Sequence, residues 1–254
     1  LDILADGRPR FAAELTEVAG ATSAVLRGLV KAGHLGMSPA DSFLQNGIER
    51  PHYSPPCLSE SQRRAGDELI AAVHRDRFFV YLLDGVTGSG KTEVYFEAIA
   101  ETLRLGRQVL VLLPEIALSA PWLEHFKLRF GVRPAIWHSE LGLTKRRETW
   151  RGVSVGSIPL IVGARSALFL PFSRLGLIVV DEEHDSSYKQ EDGVVYNARD
   201  VAVVRGRLTR SPVILASATP SLESHNNANK GRYIRLNLPT RHGQAELPAV
   251  EIVD

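Results

Sequence analysis

Residues 81–95 read YLLDGVTGSGKTEVY, and this stretch decides the fold. An apolar run stops at Asp84, and the spacing that follows, Gly85, four residues, Gly90, Lys91, Thr92, is that of a phosphate-binding loop between a buried strand and a helix. Gly85, Gly88 and Gly90 permit positive φ and leave no Cβ in the way, so successive backbone amides around Ser89 can wrap a phosphate. Lys91 then reaches the β and γ phosphates. Thr92 offers a hydroxyl to Mg²⁺, and the helix that Lys91 opens turns its positive dipole end to the same anion. A glycine-rich turn that matches by chance is the alternative, but a strand precedes this loop and a helical stretch at 93–105 follows it. ATP and Mg²⁺ are the expected cofactors.

Outward from the loop, strand and helix alternate from Leu58 onward, the signature of an α/β fold whose parallel sheet is covered on both faces. Ser59 is placed to cap a helix running to Val73, with Gln62 in its third position. Strands are expected at 78–84, 108–113, 134–137, 160–162, 177–181 and 213–216, each short and rich in Val, Ile and Leu. Residues 1–45 read instead as short helices, 11–18 and 24–32, with a tight turn between them and Gly33 at the close. That pattern suggests a small helix-turn-helix or winged-helix domain. Residues 46–57 (NGIERPHYSPPC), rich in proline and polar side chains, form the expected linker.

The chain has 254 residues, 44% of them hydrophobic, enough for one large α/β domain with a small companion. Its 30 Lys and Arg against 29 Asp and Glu give a net charge of +1, so any nucleic-acid contact must come from local clusters. Cys57 is the only cysteine, which excludes an internal disulfide and a Cys-based zinc site within this chain. That usage suits a reducing cytosol, and no apolar run approaches the length of a membrane span. A cytoplasmic protein is expected. Leu1 in place of an initiator methionine suggests a piece of a longer one.

A second constellation follows the apolar run LGLIVV: Asp181, Glu182, Glu183, His184. Ligands of open α/β sheets bind at the carboxyl ends of the strands, where this run puts its acids. Asp181 is suited to hold Mg²⁺, and Glu182 to orient and deprotonate the water that attacks the γ phosphate. The bland reading of such a run is a solvated loop; a phosphate loop in the same chain argues against it. His184 is a candidate relay between nucleotide and neighbouring loops. Ser217 and Thr219, after the next strand, bring hydroxyls to the same edge. The arginine clusters at 146–147 and 205–210 read as solvated helix faces, and Trp137 as core.

Phosphate loop, DExH box and Ser-Ala-Thr in this order resemble the first RecA-like lobe of superfamily 2 helicases. The blocks GVTGSGKTEVY, LLPEIAL (112–118), WHSEL (137–141), GARSALF (163–169), VVDEEHDSSYKQEDG (179–193), YNARD (196–200) and LASATPSLES (215–224) are similar to the PriA family of primosomal replication-restart helicases. The resemblance implies an ATP-dependent 3′-to-5′ DNA helicase lobe over 58–238, with 239–254 starting the connection to a second lobe. Its implied partners are single-stranded and forked DNA, primosome proteins and single-strand-binding protein. By the same resemblance Gln62 reads adenine, residues 114–118 with Gly163, Arg165 and Ser166 line the single-strand track, and Ser217 and Thr219 couple nucleotide state to movement. Residues 187–199 would be the aromatic-rich loop that senses DNA, with Tyr188 and Tyr196 stacking on bases and Lys189 and Arg199 meeting phosphates; a polar surface loop with two buried tyrosines is the alternative. Val194 and Val195 stand there in place of an aromatic and an arginine, and Asn197 in place of a histidine. A nucleotide-gated DNA-binding switch and a duplex translocase that separates no strands are the rival readings. Glu182 beside Asp181 favours hydrolysis over a switch, and the PEIAL and YKQEDG blocks speak against the translocase.

Overall fold

The computed structural model describes residues 15–16, 19–20, 22–36, 57–114 and 120–241. The chain divides into two units, Leu1–Pro51 and His52–Asp254. In the first, the described residues centre on helix α1 (Ser23–Lys31), and Gly33 follows it at φ 77°, the left-handed turn that ends many helices. Most of the expected helix at 11–18 and of the winged-helix span lies outside the described residues. So do the linker before Cys57, the track residues 115–118 and the tail from 242 onward.

The second unit is a seven-stranded parallel sheet with helices on both faces, as the alternating pattern predicts. In chain order its elements are α2 (Glu60–His74), β1 (Val80–Gly85), α3 (Lys91–Arg104), β2 (Gln108–Leu112), α4 (Ala120–Phe130), β3 (Ala135–Trp137), α5 (Leu143–Ser154), β4 (Leu160–Gly163) and β5 (Leu175–Asp181). A small antiparallel pair, β6 (Lys189–Gln190) and β7 (Tyr196–Asn197), comes next, then α6 (Ala198–Thr209), β8 (Val213–Ser217), α7 (Leu222–Asn229) and β9 (Ile234–Leu238). The sheet runs β3-β4-β2-β5-β8-β1-β9.

Successive strand side chains point to opposite faces, so each apolar run feeds two cores. Tyr81, Leu83, Val109, Val111 and Val179 join the helices α2, α3 and α4 on one face; Leu82, Leu110, Leu112, Ile178 and Val180 join α6 on the other. On the first face Phe96 of α3 meets Trp122, Phe126 and Phe130 of α4 edge to face, at 5.3 to 5.7 Å between ring centres. Strand β9 is absent from the sequence expectation. Its residues IRLNL alternate polar and apolar on an edge strand, and only Leu238 is buried, so no continuous apolar run announces it.

The topology sets β5, β8 and β1 side by side. Asp84 pairs with Ser217 and Asp181 with Ala216, so the phosphate loop, the acids and the Ser-Ala-Thr turn leave the sheet from three adjacent carboxyl ends.

Candidate active site

The loop is built as its glycines require. Gly88 and Gly90 sit at φ 78° and 77°. A Cβ on Gly85 would stand 2.5 Å from Ser89 Oγ and 2.8 Å from Leu238 Cβ, so no side chain fits there. Lys91 Nζ donates to the Gly85 carbonyl at 2.8 Å and lies within 3.5 Å of that of Val86, held over the start of the loop. The Ser89 hydroxyl is buried and has no hydrogen-bond partner among the described residues. An orphaned buried donor beside a lysine and a helix start is the chemistry an anion satisfies.

Gln62 is buried beneath this loop. Its amide oxygen accepts from Ser59 N at 2.8 Å, closing a capping box at the head of α2, and its amide nitrogen donates to the Ser89 carbonyl at 2.8 Å. The residue expected to read adenine therefore also ties α2 to the phosphate loop. One amide hydrogen and one lone pair remain for a base edge.

Asp181 ends β5. One carboxylate oxygen accepts from Tyr95 OH at 2.8 Å, and the other from the backbone N of Glu182 at 3.1 Å. Burial pushes its pKa up to about 6 from the ordinary 3.8, and the Glu182 charge pushes the same way; the Tyr95 bond and Lys91 oppose. Tyr95, one turn after Lys91, accepts in turn from Trp122 Nε1 at 2.6 Å, and the Thr92 side chain lies beside the same hydroxyl. Burial, then the Asp181 charge, holds the Tyr95 pKa well above 10, so the phenol remains a donor. The Thr92 hydroxyl and the Asp181 carboxylate thus converge on one phenol from chain segments 89 residues apart. An oxygen pair of this kind fits Mg²⁺, which takes few protein ligands and keeps several waters.

Glu182 holds φ 46°, a left-handed conformation unusual for a residue with a side chain. Its neighbours fix it there: its N–H meets Asp181, Asp185 N donates to its carbonyl at 2.8 Å, and Glu183 N donates to Ala216 O at 3.0 Å. Its side chain remains part-exposed, with Oε2 3.5 Å from His184 Nδ1. The same His184 nitrogen is 2.7 Å from Ser217 Oγ, which also accepts from Thr219 N at 3.0 Å. The acidic run and the Ser-Ala-Thr turn are thereby joined through His184 and Ser217, while Thr219 itself is exposed.

Glu183, to which the sequence reading gives no role, is the most engaged acid of the run. Its buried carboxylate accepts from Ser221 N (2.7 Å), Ser221 Oγ (2.9 Å) and Ser224 Oγ (2.9 Å) at the head of α7, and pairs with Arg199 Nη1 at 3.4 Å. Arg199 also bonds Ser221 Oγ at 2.6 Å and Asp200 at 2.8 Å. Only the excess of acids over tasks in the run 181–183 hints at this clamp.

The structure departs from the DNA-loop expectation at two residues. Tyr188 is 1% exposed, its hydroxyl set between the carbonyls of Leu112 (3.0 Å) and Asp181 (2.6 Å), so its ring faces the core and cannot stack on a base in this conformation. Arg199 is buried against Glu183, where its charge is already matched. Tyr196 and Lys189 do sit on the β6–β7 pair: Tyr196 is half-buried edge to face with Phe169, and Lys189 is exposed and paired with Glu191. Asn197 caps α6 by accepting from Arg199 N at 2.9 Å. Val194 and Val195 are exposed at the turn. Arg165 donates to the Lys189 carbonyl, and Ser166 Oγ lies 3.1 Å from Trp137 Nε1.

The chain is 47% identical over 199 residues to the replication restart protein PriA of Rickettsia conorii, covering 78% of this chain and 30% of that protein. It is 40% identical over 245 residues to the replication restart protein PriA of Bacillus subtilis, covering 96% of this chain and 30% of that one. The chain therefore spans about 30% of the length of these curated relatives. Among solved structures, RecG bound to a three-way DNA junction superposes with a TM-score of 0.57 at 22% identity, over 82% of this chain and 26% of that one, a likeness of fold. The DEAD/DEAH box helicase model matches residues 60–228, more than half of the chain and a span that takes in the phosphate loop, the acidic run and the Ser-Ala-Thr turn, so the chain belongs to the DEAD/DEAH box helicase family.

Proposed function

We propose that this chain is the ATP-binding motor lobe of a replication-restart DNA helicase. The observation that carries the reading is the bond from Tyr95, on the helix that Lys91 opens, to the Asp181 carboxylate, because it fixes the two halves of a nucleotide site to each other. In this site the loop amides around Ser89, with Lys91, hold the β and γ phosphates, and Gln62 lies at the adenine side. Bound Mg²⁺, held by Thr92 and Asp181, supplies charge neutralisation on the phosphates. Glu182, part-exposed beside them, takes the proton of the attacking water. His184 and Ser217 carry the state of that site to the turn holding Thr219.

Single-stranded DNA runs along the loop edge that bears Arg165, Ser166, Lys189 and Tyr196. The charge of Arg165 and the half-buried ring of Tyr196 support that course. Replication restart at forked DNA, 3′-to-5′ movement, and contacts with primosome proteins and single-strand-binding protein rest on the identity to the PriA relatives, and those proteins extend well beyond this chain.

ATP turnover by the full-length protein, measured with single-stranded, forked and duplex DNA, tests the reading. Stimulation by single strands and separation of a fork are expected. Stimulation by duplex alone, or nucleotide-dependent DNA binding without turnover, would overturn it in favour of a translocase or a switch.

A further inference from the structure

The helix α5 carries a basic and aromatic face that the site described above does not use. Trp150 is 51% exposed, and Arg146 and Arg147 precede it by one helical turn while Arg151 follows it. With Trp137 they line a shallow concavity of about 490 Å³. The Arg146 guanidinium lies 5.3 Å from the centre of the Trp137 ring and forms one wall. Arginines elsewhere in this unit are commonly paired: Arg64, Arg75, Arg104, Arg107, Arg129, Arg133 and Arg235 each meet a carboxylate. Arg146, Arg147 and Arg151 have no acidic partner among the described residues.

A large indole left half in water, with three arginines that meet no carboxylate around it, makes an apolar and cationic surface that one ligand can cover. A nucleobase stacks on the indole, and its flanking phosphates take the forks of Arg147 and Arg151. Continuity favours a nucleic-acid strand over an acidic peptide. Trp137, the floor of the concavity, donates to Ser166 Oγ, so this surface adjoins the residues assigned above to the single-strand track. We infer that the Trp150 face of α5 is a base-stacking subsite for single-stranded DNA that extends that track. The inference rests on the DNA-tracking reading of this lobe and assigns to it a residue whose exposure nothing else among the described residues explains.

The test uses the full-length protein and an oligo(dT) in which 5-iodouracil replaces single thymines, a probe that crosslinks to aromatic side chains under ultraviolet light. A crosslink to Trp150, located by mass spectrometry, is expected. In anisotropy titrations Trp150→Ala should weaken binding about 5- to 150-fold, the range for losing one stacked base, and Trp150→Phe should recover most of it. Arg147→Gln with Arg151→Gln should flatten the slope of log affinity against log salt by about 1.4, at roughly 0.7 for each phosphate no longer neutralised. Trp150 is exposed and the arginines lie on a helix surface, so all three variants keep the fold. Crosslinks to this lobe that avoid Trp150, with unchanged affinity in Trp150→Ala, would overturn the subsite and leave the track in place. No crosslink anywhere in this chain would overturn the track as well.

Discussion

At the scale of single residues, the roles proposed for Lys91 and Glu182 would act on different states of one site. Lys91 is committed to charge in the ground state, its ammonium already held among loop carbonyls. The Glu182 side chain makes no hydrogen bond to the phosphate loop among the described residues and lies part-exposed beside His184. Lys91→Ala should therefore remove tight ATP binding, whereas Glu182→Gln should keep binding and lose turnover by a factor on the order of 10² to 10⁴, the usual worth of a general base. Isothermal titration and single-turnover hydrolysis separate the two, and equal loss of nucleotide affinity in both variants would remove the assignment. The left-handed φ of Glu182 belongs to the same argument. Such a conformation costs a residue with a Cβ on the order of 1 to 2 kcal/mol, and two backbone bonds around it and one to the Asp181 carboxylate hold it there.

At the scale of elements, the acidic run is a junction. Glu183 joins the end of β5 to the heads of α6 and α7, so the turn after β8 cannot move independently of the strand that carries Asp181. Glu183→Gln keeps the shape but puts an amide donor among four donors. Each buried donor left unmatched costs about 1 to 3 kcal/mol, so chemical denaturation should show a loss of that size. Stimulation of turnover by DNA should fall further than DNA-free turnover if Ser217 and Thr219 couple the site to DNA as proposed, because the clamp is broken beside them. Equal falls in both rates would make Glu183 a stabilising residue alone.

These junctions mark where sequence reading stops. The phosphate loop and the strand ends are legible because glycine spacing and apolar runs are local signals, and each answers to one backbone requirement. Tyr95, Trp122 and Glu183 are not legible, since the bonds to Asp181, Tyr95 and Ser224 that place them span 27 to 86 residues of chain and only the sheet order brings them together. Tyr188 misleads for the same reason. An aromatic in a polar loop reads as a platform until the pairing of β2 with β5 sets two carbonyls at their ends before its hydroxyl.

At the scale of the whole molecule, the site is held at a cost to stability that pH can reveal. Asp181 has its pKa raised to about 6, against 3.8 as the ordinary value. The folded chain therefore binds this proton more tightly than the unfolded chain does. Stability must fall as pH rises between those two values, and the whole cost is present at pH 7. A shift of about 2 units corresponds to about 3 kcal/mol. Asp181→Asn does not titrate. It carries a constant penalty of its own, because both carboxylate oxygens accept bonds and an amide must turn a donor toward Tyr95 or the Glu182 N–H. The informative quantity is hence the change in the difference between the two chains with pH. All three tryptophans, Trp122, Trp137 and Trp150, lie in the unit His52–Asp254, so indole fluorescence follows the unfolding of that unit alone. In urea titrations without nucleotide or Mg²⁺, the stability of Asp181→Asn relative to the unsubstituted chain should rise by about 2 kcal/mol between pH 4 and pH 7. Other titrating groups are common to both chains and cancel. Parallel stability curves across that range would mean that the Asp181 carboxylate is as well solvated in the fold as in the open chain. Its desolvation at the end of β5 would then contribute nothing to the site.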